Sequence, residues 1–302
     1  MQIVDFTTAH IERAVQIANK NYEVERGFVP ALPPENILPD LSPFVKNGLG
    51  VAAFDGKIML GFLCCVSPFK NAFRSTDAIG VFSPLGANGV TGENRESTYA
   101  RMYQAAGEKW AQAGASSHAV CLFAHDKESQ EQFFRYGFGI RCIDAIREMD
   151  EINVIPCPGY SFYELTPDEL SKLLPLDHLL DAHMAVSPTF ILRPSHTEES
   201  FVNKATQSDS MFFVAERRGQ IVAFVRAEQD GETFICNTPG YIHVTGAYCL
   251  KEHRGKGLQQ ALLNQLIRKL RSQGYTRLGV DFESINPTAY GFLLMTGLFV
   301  KK

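Results

Sequence analysis

The most regular run of apolar positions, Leu258, Leu262, Leu263, Leu266 and Leu270, keeps helical spacing and predicts an amphipathic helix over Leu258–Ser272 that stops at Gly274. A strand-like run, Arg277–Phe282, follows, then Asn286 and, eleven residues later, Gly297. Subtracting 160 from each number finds a second copy: a helical stretch Thr98–Gln112, Gly114, a strand-like Ala119–Phe123, Asp126 and Gly137. The two copies align without a gap from residue 94 to residue 138. Further upstream the offset is 159: Phe6-Thr7-Thr8 opens a helix at Ile11, and Leu165-Thr166-Pro167 opens one at Leu170. Thr is a good N-cap and Pro is tolerated at the first helical position. Each half also carries a hairpin signal: Val51–Phe54 and Ile58–Phe62 flank Asp55-Gly56, and Phe212–Ala215 and Ile221–Phe224 flank Arg218-Gly219.

Each half therefore reads as strand, one or two helices, hairpin, long strand, helix, strand, helix and terminal strand. That succession predicts an α+β fold of two tandem units, each a mixed, mostly antiparallel sheet flanked by helices. Pro156, Pro158 and Gly159 mark a linker, so the expected domains are 1–151 and 152–302. The second half has five residues after Gly297 where the first has thirteen after Gly137, so its terminal strand is expected to be short.

Length and composition agree with this reading. The chain has 302 residues, 45% apolar and 21% charged, enough for a buried core in each half and unlike a disordered, collagenous or coiled-coil chain. A net charge of −4 offers no broad basic face, so nucleic acid is not an expected partner. No apolar run reaches the ~18 residues needed to span a bilayer, and the N-terminus lacks a signal peptide's basic and apolar regions. Seven cysteines, without C-x-x-C spacing, argue against a disulfide framework or a zinc site. The expectation is a cytoplasmic protein with reduced thiols and no metal, monomeric or homodimeric.

The candidate chemistry lies in Tyr241–Leu250, then Lys251-Glu252-His253-Arg254-Gly255-Lys256-Gly257, then the helix from Leu258. Glycines at 255 and 257 allow a tight turn that aims backbone N–H groups at one point, at a helix N-terminus whose dipole favours an anion. Arg254 and Lys256 add positive charge. The pattern suits a phosphate group, yet it is not a nucleoside-triphosphate loop, because Leu258-Gln259 follow Gly257 where Lys and Ser or Thr are required. Nor is it a dinucleotide fingerprint, which needs a third glycine at Gln260.

These residues resemble the central motif of the GNAT superfamily of acetyl-CoA-dependent N-acetyltransferases: a strand, then Arg or Gln, two residues, Gly, one residue, Gly or Ala, then a helix. Arg254, Gly257 and Gln259 occupy the defined positions, and Gln259 departs from the usual small residue. The next family motif, a strand followed by Asn, two residues, Ala and later Gly-Phe, is represented by Asn286-Pro287-Thr288-Ala289 and Gly297-Leu298. The resemblance covers about residues 160–302 and extends to the first half through the repeat, implying two tandem GNAT-like domains. The first copy reads as degenerate. Asn94-Arg95-Glu96-Ser97 stand where Arg254-Gly255-Lys256-Gly257 should be, and Asp126 replaces Asn286. A scaffold or substrate-side wall is the role expected of it.

The resemblance implies transfer of an acetyl group from acetyl-CoA to a primary amine, of a small molecule, by direct attack in a ternary complex. It assigns the pyrophosphate to Arg254, Gly255, Lys256, Gly257 and Leu258. The pantetheine arm is assigned to backbone groups of Cys249 and Leu250 between splayed strands, with the Asn286 side chain and the small Ala289. One N–H near Cys249 is expected to polarise the thioester carbonyl. The proton acceptor is expected at His243, with Glu283 and Asp281 as rivals and Tyr248 as acid or substrate contact. Leu293 stands where many members carry a Tyr that protonates the leaving thiolate. Phe190 and Arg193, in the loop between the first helices, are candidate substrate contacts. Asp177, His178 and His183 have a metal-like look, but a surface histidine pair is the preferred reading. The alternative to an enzyme is a non-catalytic acetyl-CoA-, CoA- or ligand-binding protein of the same fold.

Overall fold

The computed structural model describes residues 1–74, 77–193, 196–229, 238–295 and 300–301. The chain divides into two compact units, residues 1–140 and the described residues from 141 onward. In the first, β1 (Gln2–Asp5) leads through a 3-10 turn into α1 (Ile11–Phe28), followed by the short α2 (Ser42–Lys46). The hairpin β2 (Val51–Asp55) and β3 (Ile58–Leu63) turns at Gly56, whose φ of 55° favours glycine. Then come β4 (Gly80–Ser83), β5 (Asn88–Val90), α3 (Arg95–Gln112), β6 (Ser117–Val120) and α4 (Lys127–Arg135). The strands form an antiparallel sheet β1-β2-β3-β5 and a parallel pair β4-β6. Tyr99, Met102, Ala106 and Trp110 of α3 cover one face, with Val51, Ala53 and Leu63. Ala14, Ile17 and Ala18 of α1 cover the other, with Ala52 and Phe62. Helices on both faces explain why β2 is a continuous apolar run rather than an alternating one.

The one long strand expected before α3 is two strands, β4 and β5. Pro84 cannot donate to a ladder, and Gly86 takes a φ of 83°, so the chain breaks there. The buried Asn88 stitches the break: Nδ2 donates to Ser83 Oγ, to Pro84 O and to Cys121 O just beyond β6, and Oδ1 accepts from Tyr99 Oη.

The second unit opens with β7 (Cys142–Glu148) and β8 (Ser161–Glu164). A capping box follows, in which Thr166 N donates to Glu169 Oε2, ahead of a 3-10 stretch, α5 (Leu174–Ala185) and α6 (Glu198–Gln207). The hairpin β9 (Met211–Arg217) and β10 (Gln220–Glu228), then β11 (Tyr241–Cys249), α7 (Leu258–Ser272) and β12 (Arg277–Glu283), reproduce the predicted repeat. The chain ends in α8 (Pro287–Tyr290), a π turn and the short β13 (Val300–Lys301). One sheet results, in the order β13-β7-β12-β11-β10-β9-β8. Leu258, Leu262, Leu263, Leu266 and Leu270 of α7 cover one face of it, and α5 with α6 covers the other. The mixed, mostly antiparallel sheet between helices is the fold class the sequence predicts.

β7 holds the position that the repeat gives to the terminal strand of the first half. It lies instead between β12 and β13, antiparallel to both. Its seven residues satisfy the whole edge of β12, which the two residues of β13 are too short to do. The compact units accordingly part at residue 140, ahead of the linker. The linker itself runs along α7, where the buried Asn264 accepts from Ile152 N at 2.9 Å. Among the described residues, no helix is long and apolar enough to cross a membrane.

Candidate active site

β11 and β12 run parallel, but their hydrogen-bonded register covers only Tyr241–Val244 against Arg277–Val280. Beyond that point β11 stays with β10 as far as Cys249, and β12 stays with β7 as far as Glu283. The two strands therefore part along their C-terminal halves. The split begins at a bulge. The β10–β11 register passes from Ala227↔Val244 to Arg226↔Gly246 and leaves Thr245 extra, its hydroxyl and carbonyl both held by the Arg226 guanidinium. Leu250 N donates to Val222 O, so by antiparallel alternation residues 246, 248 and 250 bond to β10. The backbone groups of Ala247 and Cys249 point the other way, into the split. This corrects one expectation: the Leu250 N–H is committed to the ladder, and Ala247 takes its place on the slot wall beside Cys249.

The wall continues into the loop. After a 3-10 turn at Lys251–His253, Arg254 is extended, and Gly255 and Gly257 take φ of 74° and 78°. Both values favour glycine. The first N–H groups of α7 have no acceptor within the helix and open at this turn. A Cβ at Gly255 would meet nothing within 4 Å, whereas one at Gly257 would lie 2.7 Å from Ile155 Cγ1 of the linker. Arg254 Nε donates to Cys249 O at 3.0 Å, and its guanidinium lies 5.5 Å from the Tyr248 ring centre. Lys256 Nζ bonds Glu252 O at 2.7 Å. Gln259 also finds its reason here. Nε2 donates to Tyr248 O and Phe224 O, tying the start of α7 to both strands, while its buried Oε1 has no hydrogen-bond partner. The split, the open space at Gly255 and this orphaned acceptor fit an amide-bearing arm ending in a pyrophosphate.

The remaining expected residues divide into those near the split and those away from it. The Cys249 thiol is buried and bonded to Leu250 O at 3.5 Å, and burial pushes its pKa up to about 11, so it stays protonated and is no nucleophile at neutral pH. What Cys249 presents to the split is its backbone. Asn286 caps α8: its Oδ1 accepts from Thr288 N, Thr288 Oγ1 and Ala289 N, leaving Nδ2 to point at Met184 Sδ, 3.9 Å away. Only the amide nitrogen therefore faces a prospective ligand. Ala289 packs against the α7-side core, and Leu293 is buried in it. Glu283 and Asp281 lie on the β12 wall, opposite Cys142 and Asp144 of β7, on the face away from α7. Gly297 and Leu298 lie outside the described residues.

His243 does not reach the open part of the slot. It sits on the paired stretch of β11, its ring 4.8 Å from that of Tyr241, and it is 1% exposed. A proton acceptor there would need a path through packed side chains. Gly279 makes the arrangement possible, because a Cβ on it would lie 2.1 Å from Tyr241 Oη and 2.9 Å from His243 Cε1. Gly279→Ala is expected to destabilise the second unit by about 1 to 3 kcal/mol through overpacking, read as a lower urea midpoint. Gly279→Ala should cost less in a Tyr241→Ala background than in wild type, and a Gly279→Ala midpoint equal to wild type would refute the packing.

The loop after α5 presents Phe190 to solvent, 68% exposed, at a φ of 53°. Arg193 is instead paired with Asp181 at 3.2 Å. His196 stands between Asp177 (3.0 Å) and Asp181 (3.7 Å), and its carbonyl contacts His178 Nε2. This group fastens the loop to α5. His178 and His183 do not form a pair: His178 faces His196, while His183 faces Tyr248, ring centres 6.2 Å apart. Sequence reasoning did not expect His183, Met184 or Gln259 at the slot: it read His183 as half of a surface pair and Gln259 as a departure from the motif. Helical spacing places His183 and Asp177 on different faces of α5, the one signal that would have separated them.

Residues 177–297 match the acetyltransferase (GNAT) family. The fold of the whole chain is that of a GCN5-related N-acetyltransferase from Sphaerobacter thermophilus, at 13% identity and a TM-score of 0.59, covering 100% of this chain and 92% of that one. The glucosamine N-acetyltransferase region of a fungal multi-domain GH3 beta-N-acetylglucosaminidase is also similar, at 12% identity and a TM-score of 0.53, covering 100% of this chain and 37% of that one. Both likenesses are likenesses of fold. The match to the GNAT family, whose members generally take acetyl-CoA, is confined to residues 177–297.

Proposed function

We propose that the second unit moves an acetyl group from acetyl-CoA to a primary amine of a small molecule, by direct attack within a ternary complex. The observation that carries this reading is the parting of β11 and β12 ahead of the Gly255–Gly257 turn that follows β11. Acetyl-CoA, when bound, supplies the acetyl group as an activated thioester. The chain's own part is positioning and electrostatics. Backbone N–H groups at the start of α7, with Arg254 and Lys256, hold a pyrophosphate. Displacement of Arg254 from Cys249 O toward it would free the strand's acceptor for an amide of the arm. The Gln259 Oε1 and Asn286 Nδ2 offer one further acceptor and one further donor. The Ala247 and Cys249 N–H groups, aimed into the split, are placed to stabilise charge developing on a carbonyl oxygen. Asp281 and Glu283 stand on the opposite wall, within the same half of the slot. The first unit serves as scaffold.

A second reading, cofactor binding without turnover, is favoured by one observation: Leu293, at the usual position of a proton donor, is core. The two readings separate by measuring free-thiol release from acetyl-CoA with a broad panel of primary amines, including amino sugars. Acetyl-CoA binding together with amine-dependent thiol release supports transfer. Binding with no release for any amine refutes it.

A further inference from the structure

The last turn of α5 spans the mouth of the split. His183 faces Tyr248 on the β11 wall, and the next residue, Met184, touches Asn286 Nδ2 just past the β12 wall. A group that approaches the Ala247 and Cys249 backbone from this side passes the His183 ring, which is partly exposed where His243 is sealed. We infer that His183 is the group that takes the proton from the attacking amine, an inference that rests on the acetyl-transfer reading.

The surroundings favour that role. The titratable and charged groups facing His183 are Tyr248 from β11 and Arg254 and Lys251 from the turn before α7. The acidic residues of its own helix, Asp177 and Asp181, are turned toward His196 and Arg193. Burial first, then the two cations, hold the imidazole below its ordinary pKa of 6.5, so at neutral pH it is uncharged and able to accept. In the reaction it removes one proton from the ammonium form of the acceptor. The freed nitrogen lone pair forms the C–N bond, the C–S bond breaks, and the second nitrogen proton passes to sulfur. The products are the amide, CoA as its thiol and one proton, which the imidazolium returns to solvent.

The test compares full-length wild type, His183→Gln and His243→Gln, measuring acetyl-CoA affinity by calorimetry and amine-dependent thiol release across pH. A lowered pKa means that activity is full above it and falls as pH drops through it, so wild type should hold its rate to below pH 6.5. His183→Gln should keep the acetyl-CoA affinity, lose about a hundredfold in kcat with little change in the amine KM, and lose the acid limb. His243→Gln should keep that limb. A His183→Gln enzyme with wild-type rate and limb overturns the inference while leaving acetyl transfer standing. A wild type that binds acetyl-CoA but releases no thiol overturns the transfer reading and this inference with it. If the variant fails to fold, the His183 ring protons in wild type decide by NMR titration. A ring that titrates above pH 6.5, or that acetyl-CoA leaves unmoved, refutes the role.

Discussion

Gly255→Glu should remove acetyl-CoA binding and leave the fold intact. The position shares a positive φ with Gly257 and differs from it in its surroundings. Its φ of 74° strains any other residue by about 1 to 2 kcal/mol, a cost a domain of this size withstands. Its Cβ would enter space free of atoms within 4 Å, so the new carboxylate lands in the cradle rather than in a neighbour. A unit charge about 5 Å from a phosphate repels it by roughly 3 kcal/mol at an effective dielectric of 20, which is more than a hundredfold in Kd. Gly257→Glu is the poorer probe, since its side chain would strike Ile155 and mix folding with binding. Calorimetric titration of folded Gly255→Glu decides the matter. Unchanged affinity would place the pyrophosphate somewhere other than this turn.

Asp126→Ala should cost the first unit about 3 kcal/mol without touching cofactor binding. Asp126 is the repeat counterpart of Asn286, and both cap the helix that follows them. Asp126 has a second task, however. Its two oxygens receive Arg95 Nε and Nη2 at 3.1 and 2.6 Å, and Arg95 Nη1 also bonds Val90 O, at the end of β5. The guanidinium thus bridges from β5 to the exit of β6, across the place where the second unit leaves its slot open. With both side chains largely buried, removing the carboxylate strands a charge and uncaps α4. Trp110, the sole tryptophan, lies wholly buried in this unit's core, so its fluorescence on urea unfolding reports on this unit. The double variant Arg95→Met with Asp126→Leu should recover much of the loss. Acetyl-CoA should bind one per chain in wild type and in Asp126→Ala alike. A second equivalent would refute the scaffold reading.

What the sequence made legible was local. The hairpins were marked by Gly56 and Gly219, the first helices by Thr7 and Thr166, and α7 by its leucine spacing, because each signal lies within one or two turns of the element it defines. The Gly255–Gly257 turn was legible for the same reason. Partners distant along the chain were not. Nothing in Cys142–Glu148 marks β12 as its neighbour, since a strand's own alternation is indifferent to which edge it meets. The break between β4 and β5 was available in Pro84 and Gly86, but the repeat drew attention to the unbroken copy. Within the site, the hydrogen-bonding side of Leu250 depends on a bulge at Thr245 that no residue type announces. The approach of His183 to Tyr248 depends on how α5 packs on the sheet.

The place of β7 also sets an order of events during synthesis. Cys142 pairs with Glu283, and Val300 pairs with Ile146, so β7 must wait for residues 277–301 to leave the ribosome before both its edges are filled. The first unit carries no such debt, because its strands all lie within the first 120 residues. Folding should therefore proceed from a finished first half to a second half whose sheet closes last, across the longest strand-pair separations among the described residues. A gene cut at the repeat boundary would divide this sheet, and one cut ahead of residue 141 would keep it whole.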